Sequence, residues 1–131
     1  MASPGKTLRT PLSRVRGLGS AGEGTDHFWK QRLTAIANIP LMMMFVGYLI
    51  AGLKTDHAGF VAMLSSPIPV ALFILMIVSG VYHMRLGMQT IIEDYVPEEG
   101  SKLVLLMGNT FFCALAGLVG VISVLMIAFG G

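Results

Sequence analysis

Three runs of this chain are each apolar for as long as a bilayer core is thick, and that feature constrains its fold more than any other. The run from Leu33 to Leu53 holds no charge between Arg32 and Lys54, and the run from Leu103 to Gly131 holds none at all. Between them, the run from Val70 to Ile92 contains only His83 and Arg85 as groups whose charge matters near neutral pH. A helix needs roughly 20 residues to cross the hydrocarbon core, where it alone can pair all the backbone groups of an isolated segment. The chain therefore reads as an all-α membrane protein of three transmembrane helices, with spans over about 33–53, 70–92 and 103–129. An arm over residues 1–26 precedes the membrane unit of residues 27–131. With 131 residues, 54% of them hydrophobic and only 12% charged, one compact membrane unit is expected and a soluble domain is excluded. The polar material is too sparse for an enzyme acting by itself.

The distribution of charge sets the orientation. Lys6, Arg9, Arg14, Arg16, Lys30 and Arg32 precede the first span, whereas the loop after it carries only Lys54, Asp56 and His57. The positive-inside rule then predicts a cytoplasmic N-terminus in an inner (cytoplasmic) membrane, with the Asp56 loop outside. The segment from Glu93 to Lys102 returns to the inside and Gly131 ends in the periplasm. Its acidic residues weigh little against this assignment. The basic arm lacks interleaved aromatics and leads straight into a span, so a nucleic-acid partner is not expected and membrane lipid is. No apolar core stands near enough to the N-terminus for a secretory signal, and Arg14 and Arg16 are not adjacent as in a twin-arginine signal. Residues 1–22 contain Arg and Ser but no acid, a composition shared with organellar transit peptides.

Local signals punctuate the spans. Thr25 and Asp26 can cap a helix starting near His27, with Phe28 and Trp29 at the membrane interface. Asn38 and Pro40 lie inside span one, where the proline predicts a kink. Pro67 and Pro69 suit the start of the second helix and Pro97 its end. Gly108, Gly117 and Gly120, with Ala114 and Ala116, offer small surfaces for close helix approach in span three. Cys113 is the only cysteine, which excludes an internal disulfide or a multi-cysteine cluster and points to packing. The ten methionines read as adaptable apolar filler rather than as a soft-metal site.

His83 carries the most information, because an ionisable group inside a span is costly. Gly80 and Gly87 share its helix face and are expected to leave open space beside the imidazole. A haem-iron ligand and a histidine hydrogen-bonded to another helix both satisfy this pattern. Asp94 lies about three turns, ~16 Å, further along on nearly the same face, and Tyr95 follows at the membrane surface. The pair could hold the head group of an amphipathic redox molecule, or serve only as a solvated acid and an interfacial anchor. Arg32 and Arg85 can each pair with a carboxylate or snorkel to lipid head groups.

The segments HFWKQRLTAIANIPL at 27–41 and HMRLGMQTIIEDYV at 83–96 resemble the small hydrophobic membrane anchors of succinate dehydrogenase (complex II), in their alpha-proteobacterial form. The second motif is the specific part: His83, Gly87 four residues later, then Asp94 and Tyr95. The resemblance implies a chain that is noncatalytic alone, within a succinate:quinone oxidoreductase of the tricarboxylic acid cycle and respiratory chain. Its partners would be a flavoprotein subunit, an iron-sulfur subunit and a second membrane anchor, the cytochrome b polypeptide. It further implies that His83 is an axial ligand to the iron of a haem b shared with that second anchor. Tyr95, with Asp94 beside it, would bind ubiquinone, the substrate. Arg32 would stand near a haem propionate or the quinone pocket, with His27 and Trp29 at the pocket rim. The alternatives are the anchor of a fumarate reductase, since sequence does not set the direction of reaction, and a purely structural membrane protein. A cation exporter would need an acid within a span, and no span centre has one.

Overall fold

The computed structural model describes Thr10, Leu12 and residues 23–130. The expectations for Lys6, Arg9, Arg14 and Arg16, and for Gly131, fall outside the described residues, whereas the last residues assigned to the arm, from Glu23 on, already belong to a helix. Four helices follow one another: α1 (Glu23–Gly52), α2 (His57–Leu64), α3 (Pro67–Tyr95) and α4 (Glu99–Gly130). Among the described residues, α1, α3 and α4 are long and apolar enough to cross a membrane. At 1.5 Å per residue each extends roughly 45 Å, so each outreaches a hydrocarbon core of about 30 Å by tilting or by projecting its polar ends.

The boundaries follow local chemistry. α1 starts before the expected capping pair: Thr25 and Asp26 lie inside the helix rather than in front of it. Asp26 instead pairs with Lys30 one turn on, at 2.5 Å, and its negative charge suits a helix N-terminus. Pro40 is enclosed by α1, and the helix runs through it. α3 begins at Pro67, where a missing N–H costs no helical bond, and ends at Tyr95, two residues before Pro97. α4 begins at Glu99, earlier than the charge-free stretch, with Glu99 in its first turn. The segment between the first two spans is not all loop. Asp56 caps α2 by accepting a hydrogen bond from the Gly59 amide at 2.8 Å. Phe60 of α2 lies over Gly52, where a Cβ would come within 2.6 Å of its ring.

α3 is the central element, packed against α1 on one side and α4 on the other, with α2 set against α3 and α4. Its contact with α4 uses the small residues expected there. A Cβ at Gly120 would lie 3.1 Å from Ile77, and one at Gly117 3.5 Å from Val81, whereas Gly108 meets nothing within 4 Å. Cys113 is almost fully buried and donates weakly to Asn109 Oδ1 at 3.4 Å, in keeping with a packing role. Asn109 Nδ2 donates to the Arg85 carbonyl at 3.0 Å and Arg85 Nε to Thr110 Oγ1 at 3.3 Å. Those bonds join α3 to α4 where the apolar surroundings make polar pairing worthwhile. On the other side, Phe73 of α3 meets Phe45 and Tyr48 of α1 edge-on, each pair with ring centroids 5.6 Å apart. Most other large apolar side chains on the three long helices face outward, as suits lipid or neighbouring subunits.

Candidate membrane site on the α1–α3 face

His27, Gln31, Thr34 and Asn38 recur every three or four residues, so they form one polar stripe along α1. Opposite, α3 offers Ser79, His83 and Gly87. Gly87 permits close approach there: a Cβ at that position would stand 3.4 Å from Gln31 Nε2. One turn away, Thr34 Oγ1 and His83 Nδ1 are 3.0 Å apart. Thr34 Oγ1 also lies 2.8 Å from the Lys30 carbonyl and 3.1 Å from the Gln31 carbonyl. The histidine is therefore hydrogen-bonded to another helix. That bond occupies one ring nitrogen, and among the described residues no hydrogen bond reaches Nε2. A bridging histidine and a ligating histidine, posed as alternatives by the sequence, are compatible in one imidazole.

Open space beside the imidazole exists on only one of its two flanks. A Cβ at Gly80 would meet nothing within 4 Å, whereas Gly87 is closed off by the Gln31 carboxamide. A flat macrocycle thus fits the donor set on the Gly80 side: a half-buried imidazole, an Nε2 without a partner among the described residues, and a helix surface lacking a side chain. The α1 stripe also carries buried polar atoms without partners among the described residues, namely His27 Nε2, Gln31 Oε1 and Asn38 Oδ1, and α3 carries another, Ser79 Oγ. Burying such atoms unpaired costs free energy, so the face is suited to further polar contacts. Among the described residues, no group of three or more His, Cys, Asp or Glu side chains is arranged to hold a metal ion.

The other predicted residues do not converge on His83. Asp94 and Tyr95 close α3 about three turns beyond it, and both side chains are exposed, Tyr95 at 80%. Arg32 is exposed and holds its guanidinium 5.0 Å over the Phe28 ring. Phe28 in turn meets Trp29 edge-on, with centroids 6.1 Å apart. This cationic and aromatic group lies on the side of α1 away from the Thr34 stripe, where it suits a membrane interface. His27 is half-buried on the stripe side. Arg85 pairs with Thr110 rather than with a carboxylate. Sequence reasoning missed Thr34 and Gln31; their spacing with His27 and Asn38 was the available signal, hidden because neither residue is unusual near a span entrance.

The model of a family described as succinate dehydrogenase/fumarate reductase transmembrane subunit matches residues 6–117. The chain is 30% identical over 86 residues to the succinate dehydrogenase hydrophobic membrane anchor subunit of Paracoccus denitrificans, covering 66% of this chain and 67% of the relative. It is 29% identical over 89 residues to the protein of that name from Rickettsia bellii (strain RML369-C), covering 68% of this chain and 71% of the relative. A third such protein, from Rickettsia conorii, is 26% identical over 108 residues, 81% of this chain and 85% of the relative. No solved structure gives a significant match.

Proposed function

The chain belongs to the family of succinate dehydrogenase/fumarate reductase transmembrane subunits, and from that membership we propose that it supplies one axial ligand of a haem b and part of a quinone-reduction site. It is a multi-pass membrane anchor whose partners are the other subunits of such a complex. The named relatives are succinate dehydrogenase subunits, which favours electron flow from succinate to ubiquinone over the fumarate reductase direction. In such a complex electrons would arrive through the flavoprotein and iron-sulfur subunits, and the second anchor would share in holding the haem. The basic arm is cytoplasmic and Gly131 periplasmic in this reading, which puts Tyr95 on the side where a soluble head docks.

One observation carries the haem assignment: within a span, His83 has Nδ1 engaged and Nε2 free of partners among the described residues, beside the open face at Gly80. Haem, when bound, supplies one-electron transfer within the membrane. His83 would hold it through Nε2, and Gly80 would keep the helix surface flat beneath it. Arg32, which stacks its guanidinium on Phe28, would offset a propionate or other anionic charge brought to that end of α1. Tyr95 would donate its hydroxyl proton in a hydrogen bond to a quinone carbonyl, while the Asp94 carboxylate beside it accepts hydrogen bonds and attracts protons.

The test is a dithionite-reduced minus oxidised spectrum of the purified complex, for wild type and His83→Ala. A six-coordinate b-type signal that the substitution removes or shifts is expected. A wild-type complex without haem, or a spectrum indifferent to the substitution, overturns the assignment and leaves His83 as a helix-bridging residue.

A further inference from the structure

We propose that Thr34 is a positioning residue that fixes His83 as its Nδ1–H tautomer and so presents Nε2 to the haem iron. The inference rests on the haem reading above, and its own warrant is proton bookkeeping around one oxygen. Thr34 Oγ1 has a single proton and three neighbours: the Lys30 carbonyl at 2.8 Å, the Gln31 carbonyl at 3.1 Å and His83 Nδ1 at 3.0 Å. Neither carbonyl can donate. If the hydroxyl donated to Nδ1, both carbonyl oxygens would face the lone pairs of Oγ1 at hydrogen-bond distance, which is repulsive. Donation to a backbone carbonyl three or four residues back is the ordinary habit of a helical threonine. The hydroxyl proton then lies toward Lys30 or Gln31, and Nδ1 can meet Oγ1 only as a donor. A neutral imidazole protonated at Nδ1 has its lone pair at Nε2.

The sequence makes this contact possible in two places. Gly87 lets α1 and α3 approach at Gln31, one turn from Thr34. Thr34, being β-branched, holds its hydroxyl in few rotamers, so the oxygen is in place before any ligand binds. A hydroxyl that already donates is also a better acceptor, which strengthens the bond from Nδ1. That bond makes the imidazole a stronger electron donor, as the outer partner of a metal-bound histidine usually does. Such a donor favours ferric over ferrous iron. Removing it should raise the haem potential.

The experiment compares wild type, Thr34→Val, Thr34→Ser and His83→Ala in the assembled complex, measuring haem content and the haem midpoint potential by redox titration. Val keeps the shape and loses the hydroxyl; Ser does the reverse. Thr34→Val should raise the ferrous-to-ferric ratio at a fixed potential by roughly two- to tenfold, with succinate oxidation by a soluble dye unchanged, and Thr34→Ser should match wild type. Should Thr34→Val not assemble, Thr34→Ala removes the same hydroxyl without replacing its volume and is read in the same way. A hydroxyl-free variant with the wild-type potential, or a shift in Thr34→Ser that Thr34→Val lacks, overturns the proposal in favour of packing. A haem signal indifferent to His83→Ala instead overturns the haem reading beneath it, so the two failures are distinguishable.

Discussion

Tyr95 and His83 pose opposite problems at the scale of a single side chain. His83 is half-buried on the α1–α3 face and has Thr34 as its hydrogen-bond partner, whereas Tyr95 stands 80% exposed at the end of α3. An exposed phenol at a helix end acquires chemistry only when another surface covers it, so its role can be isolated by removing one oxygen. Tyr95→Phe should lower quinone reduction by about tenfold or more while leaving succinate oxidation by a soluble dye intact, because a lost hydrogen bond to the substrate costs on the order of 1.4 kcal/mol. Equal rates with both acceptors in the variant and the wild type would remove Tyr95 from the site. Position drew attention to His83, an ionisable group in a span, and to Tyr95, a phenol at a span end, but left their roles open; the expected roles came from the resemblance of the motif at 83–96. Neither singled out Thr34, because a threonine in a helix ordinarily satisfies itself against its own backbone. Only the opposing helix reveals the third partner.

At the scale of elements, α3 and α4 approach through Gly117 and Gly120, and the tighter contact is at Gly120 against Ile77. Membrane helices gain no hydrophobic drive from meeting one another, so close van der Waals packing and the bonds from Asn109 to Arg85 and from Arg85 to Thr110 carry the association. Gly120→Val places methyl groups where even a Cβ is tight, and should destabilise the detergent-solubilised complex by about 1–3 kcal/mol. Gly47→Ala, at a position where a Cβ meets nothing within 4 Å, is the control and should melt like wild type. A thermal unfolding series that ranks the two variants equally would show that this contact does not limit stability. Small residues in span three were legible as approach points, but not which of them is used: Gly108 is as small as Gly120 and faces no neighbour. Nor was α2 foreseen, since its eight residues are too few to register beside spans of about 30.

At the scale of the molecule, three long helices with largely outward-facing apolar side chains make a membrane anchor that offers most of its apolar surface to lipid or to other subunits. The positive-inside reading predicts that a cysteine placed in the arm, at Ser3, is labelled by an impermeant maleimide only after the cytoplasmic side is opened, while one at Thr55 is labelled from outside. Labelling in the reverse order would invert the assignment and move Tyr95 away from a cytoplasmic head. Sequence by itself determined that there are three spans and that one of them encloses an ionisable histidine, His83. These follow from the length of apolar runs and the cost of burying a charge, and both quantities can be read along one dimension. Tertiary structure alone decided that α3 is central, that Gly87 is closed by Gln31 while Gly80 is open, and that Thr34 meets His83. Each of those facts depends on the rotation and axial register of one helix against another. Packing of side chains from distant parts of the chain sets that rotation, and no local pattern encodes it.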